Sequence, residues 1–263
     1  MSEDRAPGWR RLQPLLVWLS GILAAVLAAV VLAWLGIWGI VPHTDPPATG
    51  GPGGLPFTVT VEDLTSDCTG WVVPASRGAF SDPPDENADG WIRWAVQNQA
   101  VTAQYAPVRI TVQGRSAAQV TLTDMRVTVM DRLPNLVGTR VGSACGGPAV
   151  YRYLRAVLDS DPPEMFPEID DAAAVPTSGP MSLIQFPYRV SLSDAEIFIV
   201  EAESTTCHCQ WVVELSWATE GRTGKLVIDN HGRPFETTGV TAITGSCFRS
   251  GSEPLVCSEA EPG

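Results

Sequence analysis

The residues of this chain best suited to chemistry lie late in the sequence, where Cys207 and Cys209 flank His208 in a C-x-C. Thiolate and imidazole together suit a soft ion such as Cu(I) or Zn2+, with His231 as a further ligand. On a β-strand, however, His208 points away from both sulfurs, because successive side chains face opposite sides. A second constellation is the run DENADG at 85 to 90, which opens like a calcium loop of the form D-x-N-x-D-G. Its twelfth position is Val96 rather than the glutamate that closes an EF-hand. A looser calcium turn built from Asp82, Asp85, Asn87 and Asp89 is the alternative to a plain solvated turn. The candidate metal ligands are therefore Asp85, Asn87, Asp89 and His208, with Ca2+ as the one cofactor to test.

Covalent catalysis finds little to work with. Past residue 56 the only imidazoles are His208 and His231, and a serine nucleophile needs one of them in a triad. No G-x-S-x-G occurs; GSACGG at 142 to 147 reads as a glycine-rich turn carrying a cysteine. His231, in DNHGRP, reads as a turn residue. Glu201 and Glu203 share a strand face, and with Glu214 opposite they could form a glycosidase pair, but in so acidic a chain such adjacency arises by chance. No catalytic residue is assigned. Of the tryptophans, Trp94, Trp211 and Trp217 fall on strand faces directed to a core. Trp71 and Trp91 are left to be exposed, where flat rings could stack on a wall glycan.

All six cysteines, Cys68, Cys145, Cys207, Cys209, Cys247 and Cys257, lie beyond the apolar run at 15 to 41, and an even count placed this way reads as disulfides in an oxidising compartment. Bonding Cys207 to Cys209 would close a small strained ring, so each is expected to take a distant partner. Cys247 and Cys257 are the preferred partners, which leaves Cys68 with Cys145.

The compartment follows from the beginning of the chain. Residues 15 to 41, LLVWLSGILAAVLAAVVLAWLGIWGIV, contain no ionisable side chain. They exceed the roughly 20 residues that cross a bilayer as a helix. They also outrun the apolar core of a signal peptide and lack a small-x-small cleavage site. Arg10 and Arg11 precede the run, and His43 and Asp45 follow it. That asymmetry puts residues 1 to 14 in the cytoplasm and the C-terminal domain outside. Gly21, Ala25, Ala29 and Ala33 recur every fourth residue, a spacing that lets two such helices pack as a homodimer. Residues 42 to 56, rich in proline and glycine, form a spacer, so the expected domain is 57 to 263. The chain carries a net charge of -12, of which the first fourteen residues hold +1. So acidic an outer domain repels phosphate backbones, which excludes nucleic acid and favours a basic protein surface.

Within the outer domain, alternation with period two predicts strands at 57 to 61, 92 to 96, 108 to 112, 119 to 130, 184 to 192, 196 to 202, 210 to 218 and 223 to 229. Residues 149 to 158 also lean towards strand. In the run from Gln119 to Met130 the phase changes between Leu122 and Met125, which predicts a β-bulge or a bend between sheets. The last two strands form a hairpin across ATEGRTG. Residues 159 to 182 read as a long loop that could divide two β lobes. Eight to ten short strands predict a mainly β, sandwich-like fold with no interior helix.

The stretches PVRITVQGRSAAQVTLTDMRVTVMDR at 107 to 132 and TRVGSACGGPAVYRYL at 139 to 154 resemble single-pass membrane proteins of high-GC actinomycetes. The resemblance implies location in the cell membrane and carries no activity. The expectation is a membrane-anchored extracytoplasmic binding module, accessory to another envelope protein. A glycan-binding module and an envelope hydrolase or metal-dependent enzyme are the alternatives.

Overall fold

A computed structural model describes residues 54–65, 70–84, 88–144, 152–169, 182–250 and 253–259. The apolar run at 15 to 41 and its small-residue rows lie outside the described residues. Among the described residues no helix is long and apolar enough to cross a membrane.

The described chain is mainly β. In order it forms β1 (Phe57–Asp63), β2 (Trp71–Val73), the helix α1 (Ala88–Gln97), β3 (Val101–Ala103), β4 (Tyr105–Gly114), β5 (Val120–Pro134), β6 (Gly138–Ala144), β7 (Arg152–Val157) and β8 (Glu164–Ile169). It continues with β9 (Tyr188–Val190), β10 (Ala195–Glu203), β11 (Cys207–Thr219), β12 (Arg222–Ile228), β13 (Phe235–Thr238), β14 (Ile243–Ser250) and β15 (Val256–Glu259). One sheet has the order β1-β4-β10-β7-β8. The other runs β15-β14-β6-β2-β3-β13-β11-β5-β9, with β12 also paired to β11.

The two sheets meet over one core because their strands alternate. Val108, Ile110 and Val112 of β4 and Phe198 and Val200 of β10 are buried from one side. Trp211, Val213, Leu215 and Trp217 of β11 come from the other. Aromatic rings tie the layers: Phe57 meets Trp217 edge-on at 5.9 Å, and Tyr188 meets Phe198 at 5.2 Å. Each such aliphatic or aromatic side chain contributes roughly 1.5–3 kcal/mol when fully withdrawn from water.

The expected bulge is present. β11 pairs with β5 in antiparallel register, but Ser216 faces Asp124 while Trp217 faces Leu122, so Thr123 is an extra residue. The slip lets Val120, Leu122, Met125 and Val127 all be buried although their spacing changes phase. A second shift leaves Met130 as an extra residue between Val129 and Asp131. The hairpin from β11 to β12 turns through Glu220 and Gly221, both with positive φ, as a two-residue turn between right-twisted strands requires.

Three expectations fail. Residues 92 to 96 are not a strand: Trp91, Trp94 and Ala95 occupy one face of α1 and pack with Trp71, Val73, Phe80, Val141 and Cys247 in a second core. The i, i+3, i+4 spacing of that face, rather than the alternation of Ile92, Trp94 and Val96, decides the conformation. Consequently Trp71 and Trp91, expected to be exposed, are 5% and 3% accessible. Residues 164 to 169, taken as loop, form β8, an outer strand of its sheet where Pro167 needs no ladder partner on its free side.

Candidate functional site

β5 pairs with β11 along its length, but on its other side β9 covers only Val120 to Leu122. From Thr123 to Pro134 that edge has no strand partner among the described residues. An open groove of about 890 Å3 follows this edge from Asp124 to Arg132. Its far wall is Asp161, Pro162 and Pro163 from the turn between β7 and β8 and Met165 of β8, and Glu214 of β11 also lines it. Consecutive residues of β5 line the groove, as expected of a strand edge, which offers main-chain donors and acceptors as well as side chains.

The groove's charges are partly satisfied from within. Arg126 pairs with Asp124 at 2.6 Å, and Lys225 reaches Glu214 at 2.6 Å. Arg132 donates to the carbonyls of Leu158 and, at 2.6 Å, Ser160, fixing the far wall to β5. Among the described lining residues Asp131 and Asp161 supply further negative charge, and Met130, 63% accessible, stands at the rim. The arrangement suits an extended segment that presents backbone to the edge and apolar or cationic side chains to the rim.

Behind the groove lies the start of β11. Cys207 and Cys209 are bonded to each other, and Cys247 is bonded to Cys257. Both pairings correct the expected crosswise scheme. The Cα atoms of Cys207 and Cys209 stand 5.3 Å apart, within ordinary disulfide reach, because Cys207 directly follows a turn and need not hold fully extended spacing. Cys247 and Cys257 are register partners on β14 and β15. Cys68 and Cys145 lie outside the described residues.

Asp159 organises the turn before Cys207. Its carboxylate accepts from the Thr205 and Thr206 amides at 2.8 and 3.0 Å and from the Thr206 and Ser204 hydroxyls. Burial pushes this carboxyl up, but those donors outweigh it and hold it below the usual aspartate range. Ser204 donates to the Cys207 carbonyl at 2.6 Å and lies 3.2 Å from the Cys207 sulfur.

His208 points away from both sulfurs, as strand geometry demands, and its Nε2 meets Glu236 Oε2 at 3.0 Å. That contact first, against burial, holds Glu236 below the usual glutamate range. The imidazole is 8% accessible and lies outside the groove's described lining. His231 sits in a turn with positive φ, remote in role from any ligand set. Among the described residues no group of three or more His, Cys, Asp or Glu is placed to hold a metal.

The side chains of Asp85, Asn87 and Asp89 fall outside the described residues. Just before them in the chain, Arg77 pairs with Asp82, and Arg249 donates to the carbonyls of Pro83 and Pro84 at 2.9 and 3.0 Å. Glu201 and Glu203 do not face Glu214, which belongs to the other sheet. Instead Arg155 holds Glu203 at 2.5 Å and Glu168 at 3.4 Å. In comparisons with known protein families, curated proteins and solved structures, no match to this chain was found.

Sequence reasoning missed the groove altogether. The charges at Asp124, Arg126, Asp131 and Arg132 hint at an exposed edge, but the groove itself depends on how far β9 covers β5, which no local pattern reports.

Proposed function

We propose that this chain is a membrane-tethered extracytoplasmic module that binds a protein partner by adding an extended segment of it to the open edge of β5. The observation that carries this reading is the edge from Thr123 to Pro134, which has no strand partner among the described residues and faces a groove long enough for several residues. Strand addition draws affinity from main-chain hydrogen bonds and specificity from side-chain pockets, and both elements are present. The apolar run at 15 to 41 supports the tether, and its small-residue rows would let two tethers pair. The disulfides and the acidic charge support an oxidising outer compartment and a basic or apolar partner segment.

The test has two parts. A reporter fused after Gly263 is expected to be active outside the membrane and silent inside. A photo-crosslinking residue at Thr128 is expected to trap a discrete protein that the same probe at exposed Val227 does not, and Met130→Asp should weaken the trapping. Equal labelling from both positions would sink the docking reading, and a cytoplasmic reporter would sink the topology.

A further inference from the structure

The disulfide between Cys207 and Cys209 does little that a structural disulfide does. It joins residues two apart on one strand, so it closes the smallest of loops and removes little freedom from the unfolded chain. Nor does the strand need it. Cys207 and Cys209 face Pro134 and Arg132 of β5, and Cys209 and His208 face Thr237 and Thr238 of β13. The Cys207 carbonyl is further fixed by Ser204 and by the Gly239 amide at 3.1 Å. Opening the bond would leave this framework standing. By contrast, Cys247 and Cys257 staple the last strand, with ten residues of separation.

Both sulfurs also have polar company. The Arg132 Nη1 lies 3.8 Å from the Cys209 sulfur, and the Ser204 hydroxyl lies 3.2 Å from that of Cys207. A guanidinium stabilises a thiolate, and the Ser204 oxygen, whose own proton is taken by other acceptors, can accept from the Cys207 thiol, so the reduced form is provided for. Cys207 is 6% accessible and Cys209 fully buried, which assigns the roles.

We propose that Cys207 and Cys209 form a reversible dithiol–disulfide couple that exchanges two electrons with a dithiol reductant. A thiolate of the reductant attacks the Cys207 sulfur, the bond to Cys209 breaks, and its electron pair leaves on the Cys209 sulfur as a thiolate beside Arg132. The second thiolate of the reductant then attacks its own sulfur in the mixed disulfide. Cys207 departs as a thiolate, takes a proton from water, and the reductant leaves oxidised as a disulfide. The reverse sequence restores the bond. This couple is independent of the docking reading, since it requires no segment in the groove.

The experiment equilibrates the full-length protein in detergent micelles with stepped ratios of reduced to oxidised dithiothreitol, traps free thiols by alkylation, and quantifies each cysteine peptide by mass spectrometry. Tryptophan fluorescence is followed in parallel. The Cys207–Cys209 bond is expected to be half open at a ratio at least tenfold lower than Cys247–Cys257, with fluorescence unchanged. Opening of both bonds together, or of Cys207–Cys209 only as fluorescence reports unfolding, would overturn the proposal. Arg132→Met should raise the required ratio several-fold, whereas Arg132→Lys, which keeps a cation, should raise it less. An unchanged ratio in a folded Arg132→Met protein would overturn the role given to Arg132.

Discussion

The indole of Trp217 lies against Gly224, its directly paired residue on β12, so closely that a Cβ at position 224 would stand 2.6 Å from the ring carbon Cζ2. The absence of a side chain there is what lets the ring sit in the core. Gly224→Val is therefore expected to destabilise the domain by about 1–3 kcal/mol, the usual cost of overpacking, read as a lower urea midpoint. Gly221, two residues past the strand end and open to solvent, is the control for mere loss of glycine, although its positive φ also costs something on substitution.

Arg155 lies between Glu203 and Glu168 and pairs with both, and its guanidinium is only 28% accessible. Arg155→Met should cost about 1–3 kcal/mol because it leaves the two carboxylates facing each other without compensation. Adding Glu203→Gln should recover much of that loss. Additive losses in the double mutant cycle would show that the pair is not coupled.

Asp159 and Glu236 both titrate below their ordinary values in the folded protein. At a pH near 4 the folded state thus binds fewer protons than the unfolded one, and stability falls as pH falls through the folded values. Asp159→Asn should flatten this acid limb in a series of denaturant midpoints between about pH 5 and 2. An unchanged slope would mean that the turn at Ser204 to Thr206 does not depend on the carboxylate's charge.

At the alkaline end the sign reverses. Burial first, and then nearby glutamates, raise Tyr105 and Tyr153 above the usual phenol value. Below about pH 10 their contribution is fully present, and it is lost as pH rises towards the folded values. Phenolate absorbance should show two tyrosines ionising late, with Tyr153→Phe removing one late step.

Replacing Cys247 and Cys257 together by serine should cost about 2–3 kcal/mol by the loop-entropy argument, and replacing Cys207 and Cys209 distinctly less. Thermal melts without reductant separate the two. A larger loss for the Cys207 pair would contradict the ordering.

How far the sequence carries depends on how many residues an element repeats its pattern. β11 alternates over thirteen residues, and its buried face was readable from Trp211 to Trp217. The irregularity in β5 was readable because a change of phase between Leu122 and Met125 needs either a bulge or a bend, and the pairing with β11 shows the bulge. Strands of three or four residues, such as β2, β3 and β13, contain too few repeats to be seen. α1 was misread because Trp94 satisfies both periods, and only the second core, invisible locally, chooses between them. The cysteine pairing failed for a related reason: the turn before Cys207 relaxes the strand spacing that made a bond to Cys209 look strained. The groove could not be read because it depends on where β9 stops.

The three parallel pairings have a consequence for the order of events during synthesis. β3 pairs with β13, β6 with β14 and β7 with β10, so each joins an early segment to a much later one. Such contacts carry the full entropy of closing the intervening chain and slow folding relative to hairpins. A polypeptide emerging N-terminus first holds β6 unpaired on that side until residue 250 has appeared. Its larger sheet is thus completed only after these late strands have been made, which leaves a long interval in which half-built edges are open to chaperones, to proteases and to one another.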